Sequence, residues 1–287
     1  MSVAAGYSDP ARVAARAQAL GATPIGRSVH GRELVAISIG AGERVSLVLG
    51  GIHPIEWIGV EVALGLAERL AAAPPADRRV LIVPVINVDG HAAISRDLTA
   101  GARRYRRTNQ RGVDLNRNFP LGHAGAVTGP LAGPLARLVE RRAGAAPWSE
   151  PETAAVATLV AGKAVDRAVA LHAFGRMILL PWAHRGATSP RHAELLAHAR
   201  AVAAALPARY RILHTGRWPL FRPGGLELDW LTSLGALAML VECGRGGLEA
   251  RRPSTWIQPF RWYNPAQPGT EVDALVHALE PFVRGEP

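Results

Sequence analysis

The sequence predicts a single three-layer α/β/α domain built on a mixed, mostly parallel central sheet. Strand-like runs of Val, Ile, Leu and Ala alternate with helical patterns along the whole chain, which is how a layered α/β domain reads. A length of 287 residues, 48% of them hydrophobic, suffices for one large core. Two histidines and two glutamates also fall at or just after strand ends, where open α/β sheets form their functional crevice.

Residues 1–24 read as an N-terminal arm with a short helix near 11–20, and residues 25–287 as the main domain. Arg32–Ile39 alternates polar and apolar residues, and Gly40–Glu43 links it to apolar Val45–Leu49, which predicts a hairpin-like pair. Trp57, Val60, Leu64 and Ala67 have helical spacing within 55–72, and Pro74-Pro75 ends that helix. Val80–Ile86 reads as a buried strand, with Pro84 pointing to an edge position or a bulge. Residues 88–150 are rich in Gly, Pro and Arg without periodicity, and so long an irregular stretch is expected to serve function. Ser149 is placed to cap a helix running to about Gly162, with Glu150 and Glu152 as helix-start acids. Strands follow over 165–173 and 177–181, a helix over 190–205, and a strand over 211–214. A helix or turn covers 226–234, a strand 236–242 and a last helix 273–282.

The net charge is +10, and Lys163 is the only lysine among 33 basic residues. Arg103, Arg104, Arg106, Arg107 and Arg111 form the one dense cluster; it fits an anion-receiving cleft. Scattered bases and no aromatic platform beyond Tyr105 argue against a nucleic-acid partner. No window reaches the ~20 apolar residues of a membrane span, so no membrane association is expected. The first residues lack the basic patch and apolar core of a secretory signal, which makes cytoplasmic residence the expectation. A single cysteine, Cys243, permits no intrachain disulfide, and strand alternation turns it away from Glu242 into the core.

The chemistry concentrates in Gly50-Gly51-Ile52-His53-Pro54-Ile55-Glu56, which follows a buried strand. Pro54 suits a first helical position, so His53 is expected on the turn and Glu56 in the first helical turn, both facing one ion. His172 ends a second apolar run, and together these are the N/O donors of a three-ligand catalytic zinc site with a fourth position open for water. Glu242 ends Leu237-Ala-Met-Leu-Val241; a carboxylate there must be solvated or face positive charge, and beside zinc it would act as general base. The other histidines read as surface or structural.

Together with Tyr105-Arg106-Arg107-Thr108-Asn109 and Gly112-Val113-Asp114-Leu115-Asn116-Arg117-Asn118-Phe119, this order resembles the zinc carboxypeptidases of the carboxypeptidase A/B type over about residues 25–247. The resemblance implies a zinc metallocarboxypeptidase domain over 25–287, with one zinc on His53, Glu56 and His172, acting on peptides with a free C-terminal carboxylate. It implies that Arg106 stabilises the tetrahedral oxyanion, that Asn116 and Arg117 grip the terminal carboxylate, and that Asp114 and Asn118 shape their loop. In the resembling enzymes the residue before an Asp-Trp pair lines the side-chain pocket. Here that residue is Leu228, which favours apolar ends, although the turn from Gly225 to Asp229 is one residue longer than the family pattern and Glu227 turned inward would favour basic ends. Two features depart from the family. Ile55 stands where an arginine often precedes the ligand glutamate, and no tyrosine matches the mobile one, its place falling among Trp218, Leu220 and Phe221. Murein-peptide amidases and deacylases of N-acyl amino acids carry similar motifs and remain alternatives, as does an inactive peptide-binding module.

Overall fold

A computed structural model describes residues 4–123, 142–217, 222–247 and 256–286. The order of elements is α1 (Pro10–Ala19), β1 (Thr23–Arg27), β2 (Glu33–Ile39), β3 (Arg44–Leu49), α2 (Trp57–Ala72), β4 (Arg78–Val83), α3 (Val88–Thr99), a 3-10 turn (Leu115–Arg117) and α4 (Pro151–Val160). Then come β5 (Ala164–His172), β6 (Met177–Leu180), α5 (His192–Ala205), β7 (Arg211–His214), α6 (Glu227–Ser233), β8 (Leu237–Glu242), α7 (Pro259–Tyr263) and α8 (Gly269–Arg284). The eight strands make one sheet in the order β1-β2-β4-β3-β5-β8-β6-β7. Four ladders are parallel and three antiparallel, hence a mixed sheet with a parallel centre.

Strand alternation divides the core into two layers. Val169, Leu171, Met239 and Val241 face α1, α2, α5 and α8. Leu47, Leu49, Ala168, Ala170, Ala238 and Leu240 face α4, α6, Leu115 and Phe119. His172 and Glu242 continue the second set by two-residue steps, and β5 and β8 pair them directly opposite each other. Cys243 falls in the first layer and is fully buried there, as alternation requires. Val13 and Ala17 of α1 join that same layer, so the segment read as an arm carries part of the core.

Two expectations about the strands need correction. β2 and β3 do not pair, because β4 lies between them. Crossing one strand takes about 9.6 Å, and the four residues Gly40–Glu43 reach about 13 Å, so a short link does not compel a hairpin. That link passes over the start of β4. A Cβ on Gly42, whose φ is +132°, would lie 2.4 Å from the Asp77 carbonyl oxygen. Pro84 is neither at an edge nor in a bulge: β4 is interior and ends at Val83, so the missing N–H costs the ladder nothing.

Helix α3 had no periodic signal; it is held by its cap, where Asn87 accepts the Gly90 N–H at 2.9 Å. Ser149 does not cap α4. Its hydroxyl bonds Glu150 and accepts from Asn118, which also ties Ala143, Ala146 and Thr153 together. Within α3, the buried His91 ring lies 4.3 Å from the Trp57 indole, whose N–H donates to the Pro54 carbonyl at 2.9 Å. The turn that carries His53 thus rests on an aromatic stack.

Candidate metal centre and cleft

Beyond Leu49 the chain must leave β3 beneath the segment that follows β4. A Cβ on Gly50 would sit 2.7 Å from the Pro84 carbonyl oxygen, so glycine is required there. Residues 53–56 then form a turn closed by the Glu56 N–H on the His53 carbonyl at 3.2 Å. Helix α2 starts only at Trp57, three residues after Pro54, which leaves Glu56 at the N-cap position instead of inside the first turn. The turn aims both side chains toward His172 at the end of β5.

The donor atoms of His53, Glu56 and His172 all lie within 4.8 Å of one another, and all three residues are buried. His53 Nδ1 is 2.8 Å from Glu56 Oε1, His172 Nδ1 is 3.1 Å from Glu56 Oε2, and the two ring nitrogens are 3.2 Å apart. Tetrahedral zinc with bonds of 2.0–2.1 Å separates its ligands by about 3.3 Å, so the three donors already stand at the edges of such a site. Charge agrees with this. The carboxylates of Glu56, Asp114, Glu227 and Glu242 converge here on two imidazoles and the guanidiniums of Arg107 and Arg117, an acid-rich setting that suits a cation. These residues fit zinc.

Each imidazole turns its other nitrogen to a carboxylate. His53 Nε2 lies 3.2 Å from Asp114 Oδ1, and Asp114 Oδ2 accepts Arg107 Nε–H at 2.8 Å. His172 Nε2 lies 2.5 Å from Glu227 Oε1. Burial alone would raise the carboxyl of Glu56, yet His53 and His172 hold it well below its ordinary value. Asp114 is likewise held low against its burial, by Arg107, Arg117 and His53. Burial opposes a charge on His172, but Glu227 and Glu56 overcome that and hold it well above an ordinary histidine. Burial pushes the Glu242 carboxyl up to about 7; His172 pulls against that shift and Glu56 adds to it. Glu242 Oε2 has no partner among the described residues.

The cleft over these residues measures about 290 Å³ and is lined by Arg107, Asn116, Arg117, Leu226, Glu242 and Tyr263 among others. The strand-borne residues and the Asn116-Arg117 pair therefore meet. Arg106 does not join them: it lies outside this cleft, forked onto Asp97 at 2.5 and 3.2 Å. Arg107 takes the cleft position, because Asp114 draws it inward. Leu228 is also elsewhere. It is fully buried beneath the sheet with Trp230 and Leu231, while Leu226 supplies the aliphatic wall. In this turn Glu227 is directed to His172 and Leu228 to the core.

Asp114, read as loop-shaping, meets the His53 ring at 3.2 Å, and the sequence carried no signal for it apart from its place near Asn116. Tyr263 brings a phenol into the cleft from α7, bonded to the Tyr105 hydroxyl at 3.2 Å. Trp218, Leu220 and Phe221 lie outside the described residues.

Comparison with known proteins agrees with this geometry. The zinc carboxypeptidase family, peptidase M14, matches residues 12–227. The chain belongs to that family. Its members depend on zinc, the ion this donor set fits. Human carboxypeptidase A6 is 30% identical over 228 residues, which span 72% of this chain and 51% of that protein. The chain thus spans about half the length of the curated relatives it matches. Among solved structures, carboxypeptidase A from Helicoverpa armigera superposes with a TM-score of 0.75 at 19% identity, over 97% of this chain and 72% of that one. The murein-tripeptide amidase from Escherichia coli O157 gives 0.56 at 22% identity, over 93% and 92%. Both have the fold of this zinc carboxypeptidase relative.

Proposed function

We propose that this M14 chain removes C-terminal residues from peptides, with zinc held by His53, Glu56 and His172. The observation that carries the reading is Arg117. It lines the cleft beside the ligand set, and its Nη1 donates only to the Asn116 carbonyl at 2.5 Å. It pairs with no carboxylate among the described residues, although burial disfavours its charge. A half-buried guanidinium left this way is a receptor for an incoming anion, and a peptide's terminal carboxylate matches its fork.

Zinc, when bound, supplies the Lewis acid that polarises the scissile carbonyl and eases deprotonation of water. The chain's residues do the rest. Arg117 and Asn116 fix the terminal carboxylate, which places the last amide bond against the metal ligands. Arg107, anchored by Asp114, offers the remaining guanidinium of the cleft to the developing oxyanion. Glu242 receives the proton of the attacking water and passes it to the leaving amine. Leu226, Leu179, Leu240 and Thr215 line the wall available to the last side chain, which favours apolar ends.

Matched peptides with free and amidated C-termini test this reading. The free forms should be cleaved and the amidated ones left intact. Arg117→Ala should raise KM for the free forms by roughly 10–100-fold, the worth of a charge-assisted contact. Equal cleavage of both forms by the unmutated protein would remove the carboxylate clamp and favour an amidase.

A further inference from the structure

Glu227 is almost completely buried, 1% exposed, and belongs to none of the roles assigned above. One of its carboxylate oxygens stands 2.5 Å from His172 Nε2, on the side of the ring away from His53 and Glu56. The other has no hydrogen-bond partner among the described residues. Its backbone N–H is fixed by the Asn116 side-chain oxygen at 3.0 Å. A carboxylate in this position is costly unless positive charge faces it. Arg117 is not within ion-pair distance, so the imidazole is its one direct partner in the described structure.

We propose that Glu227 is a positioning residue for the metal centre. It accepts the Nε2–H of His172, fixes the tautomer that leaves the Nδ1 lone pair on the ligand side, and raises the basicity of that ligand. Asp114 does the same for His53, so the two histidines are braced from opposite sides: one by a loop acid tied to Arg107, the other by an acid from the Gly225–Asp229 turn. The inference rests on the metal-centre reading. It gives a role to a buried acid of that turn that does not line the cleft.

The test uses the full chain stripped of metal and titrated with zinc alone against a chromophoric chelator. Glu227→Gln keeps an acceptor of the same shape without the charge and should weaken zinc affinity about 10-fold. Glu227→Ala removes the acceptor and should weaken it about 100-fold. The metal-free variants should keep their circular dichroism, and the cobalt-loaded forms should show altered ligand-field bands, a change that a merely structural role would not produce. Unchanged zinc affinity in a folded Glu227→Gln or Glu227→Ala protein overturns the inference. So does unchanged affinity with a shifted preference between Lys-ended and Leu-ended peptides, which would make Glu227 a side-chain receptor. Failure of the unmutated chain to bind zinc would overturn the metal centre itself, a result these variants cannot mimic.

Discussion

The cleft has a strand-borne half and a loop-borne half, and they obey different rules. His53, His172 and Glu242 hang from the ends of β3, β5 and β8, whose parallel pairing brings those ends to one edge of the sheet. Arg106, Arg107, Leu226, Glu227 and Leu228 lie on loops or at the first turn of a seven-residue helix. For His172 and Glu242 a period of two settles which way the side chain points, and His53 is aimed by the short turn that closes on Glu56 just past β3. In the second half direction depends on a partner: Asp97 takes Arg106 outward, Asp114 takes Arg107 inward, and His172 claims Glu227. Neighbouring positions therefore exchange roles in the loops and not in the strands.

The largest effect should come from the strand-borne half. Replacing both His53 and His172 by alanine should abolish stoichiometric zinc, measured by elemental analysis, and hydrolysis with it, because three ligands hold no spare. Retained zinc would break the contrast at its firmest point. Glu242→Gln should keep zinc and lower kcat by roughly 10²–10⁴-fold. As the group must be ionised to accept a proton and burial sets it near 7, kcat/KM of the unmutated enzyme should fall as pH drops below about 7, with the charge of bound zinc moving that limb lower. Loss of the acid limb in the Gln variant is the matching observation.

The loop-borne half is tested by adjacent pairs. Arg107→Ala should lower kcat/KM by roughly 10²–10³-fold, the worth of one oxyanion donor, while Arg106→Ala changes it only a few-fold. The reverse result would mean that the loop turns over when substrate binds. Smallest on activity is the leucine pair. Leu226→Ala should shift the preference among Phe-, Leu- and Ala-ended peptides by about tenfold, and Leu228→Ala should leave that preference alone while lowering unfolding free energy by ~2–5 kcal/mol in a urea titration.

The same division governs what could be read from the sequence. Strand runs and the residues that close them were legible because burial on a pleated sheet imposes alternation. The layering followed for the same reason, and helix α2 from its own 3.6-residue apolar spacing. The pairing of β2 with β3 was misread because strand order is set by long-range contacts, here the insertion of β4, and a four-residue link is compatible with either arrangement. Helix α3 was missed because one asparagine cap and tertiary packing hold it, not an apolar stripe. For Arg106 and Leu228 the family pattern gave the right segment, but only the partners Asp97, Asp114 and His172 decide which neighbour faces the cleft.

The aromatic stack beneath the His53 turn ties the scaffold to protons. Burial lowers the His91 imidazole to about 4, from 6.5, so the folded state holds this ring neutral while the unfolded chain protonates it first. The unfolded state therefore binds more protons between those values, and stability that is complete above about 6.5 drains away as pH falls toward 4, by up to ~3 kcal/mol. Acid should loosen the platform under the ligand turn even where the Glu56 carboxylate is still ionised. Urea midpoints measured from pH 7 to 4 for the unmutated chain and for His91→Gln should converge as pH falls; parallel curves would clear this ring of the effect.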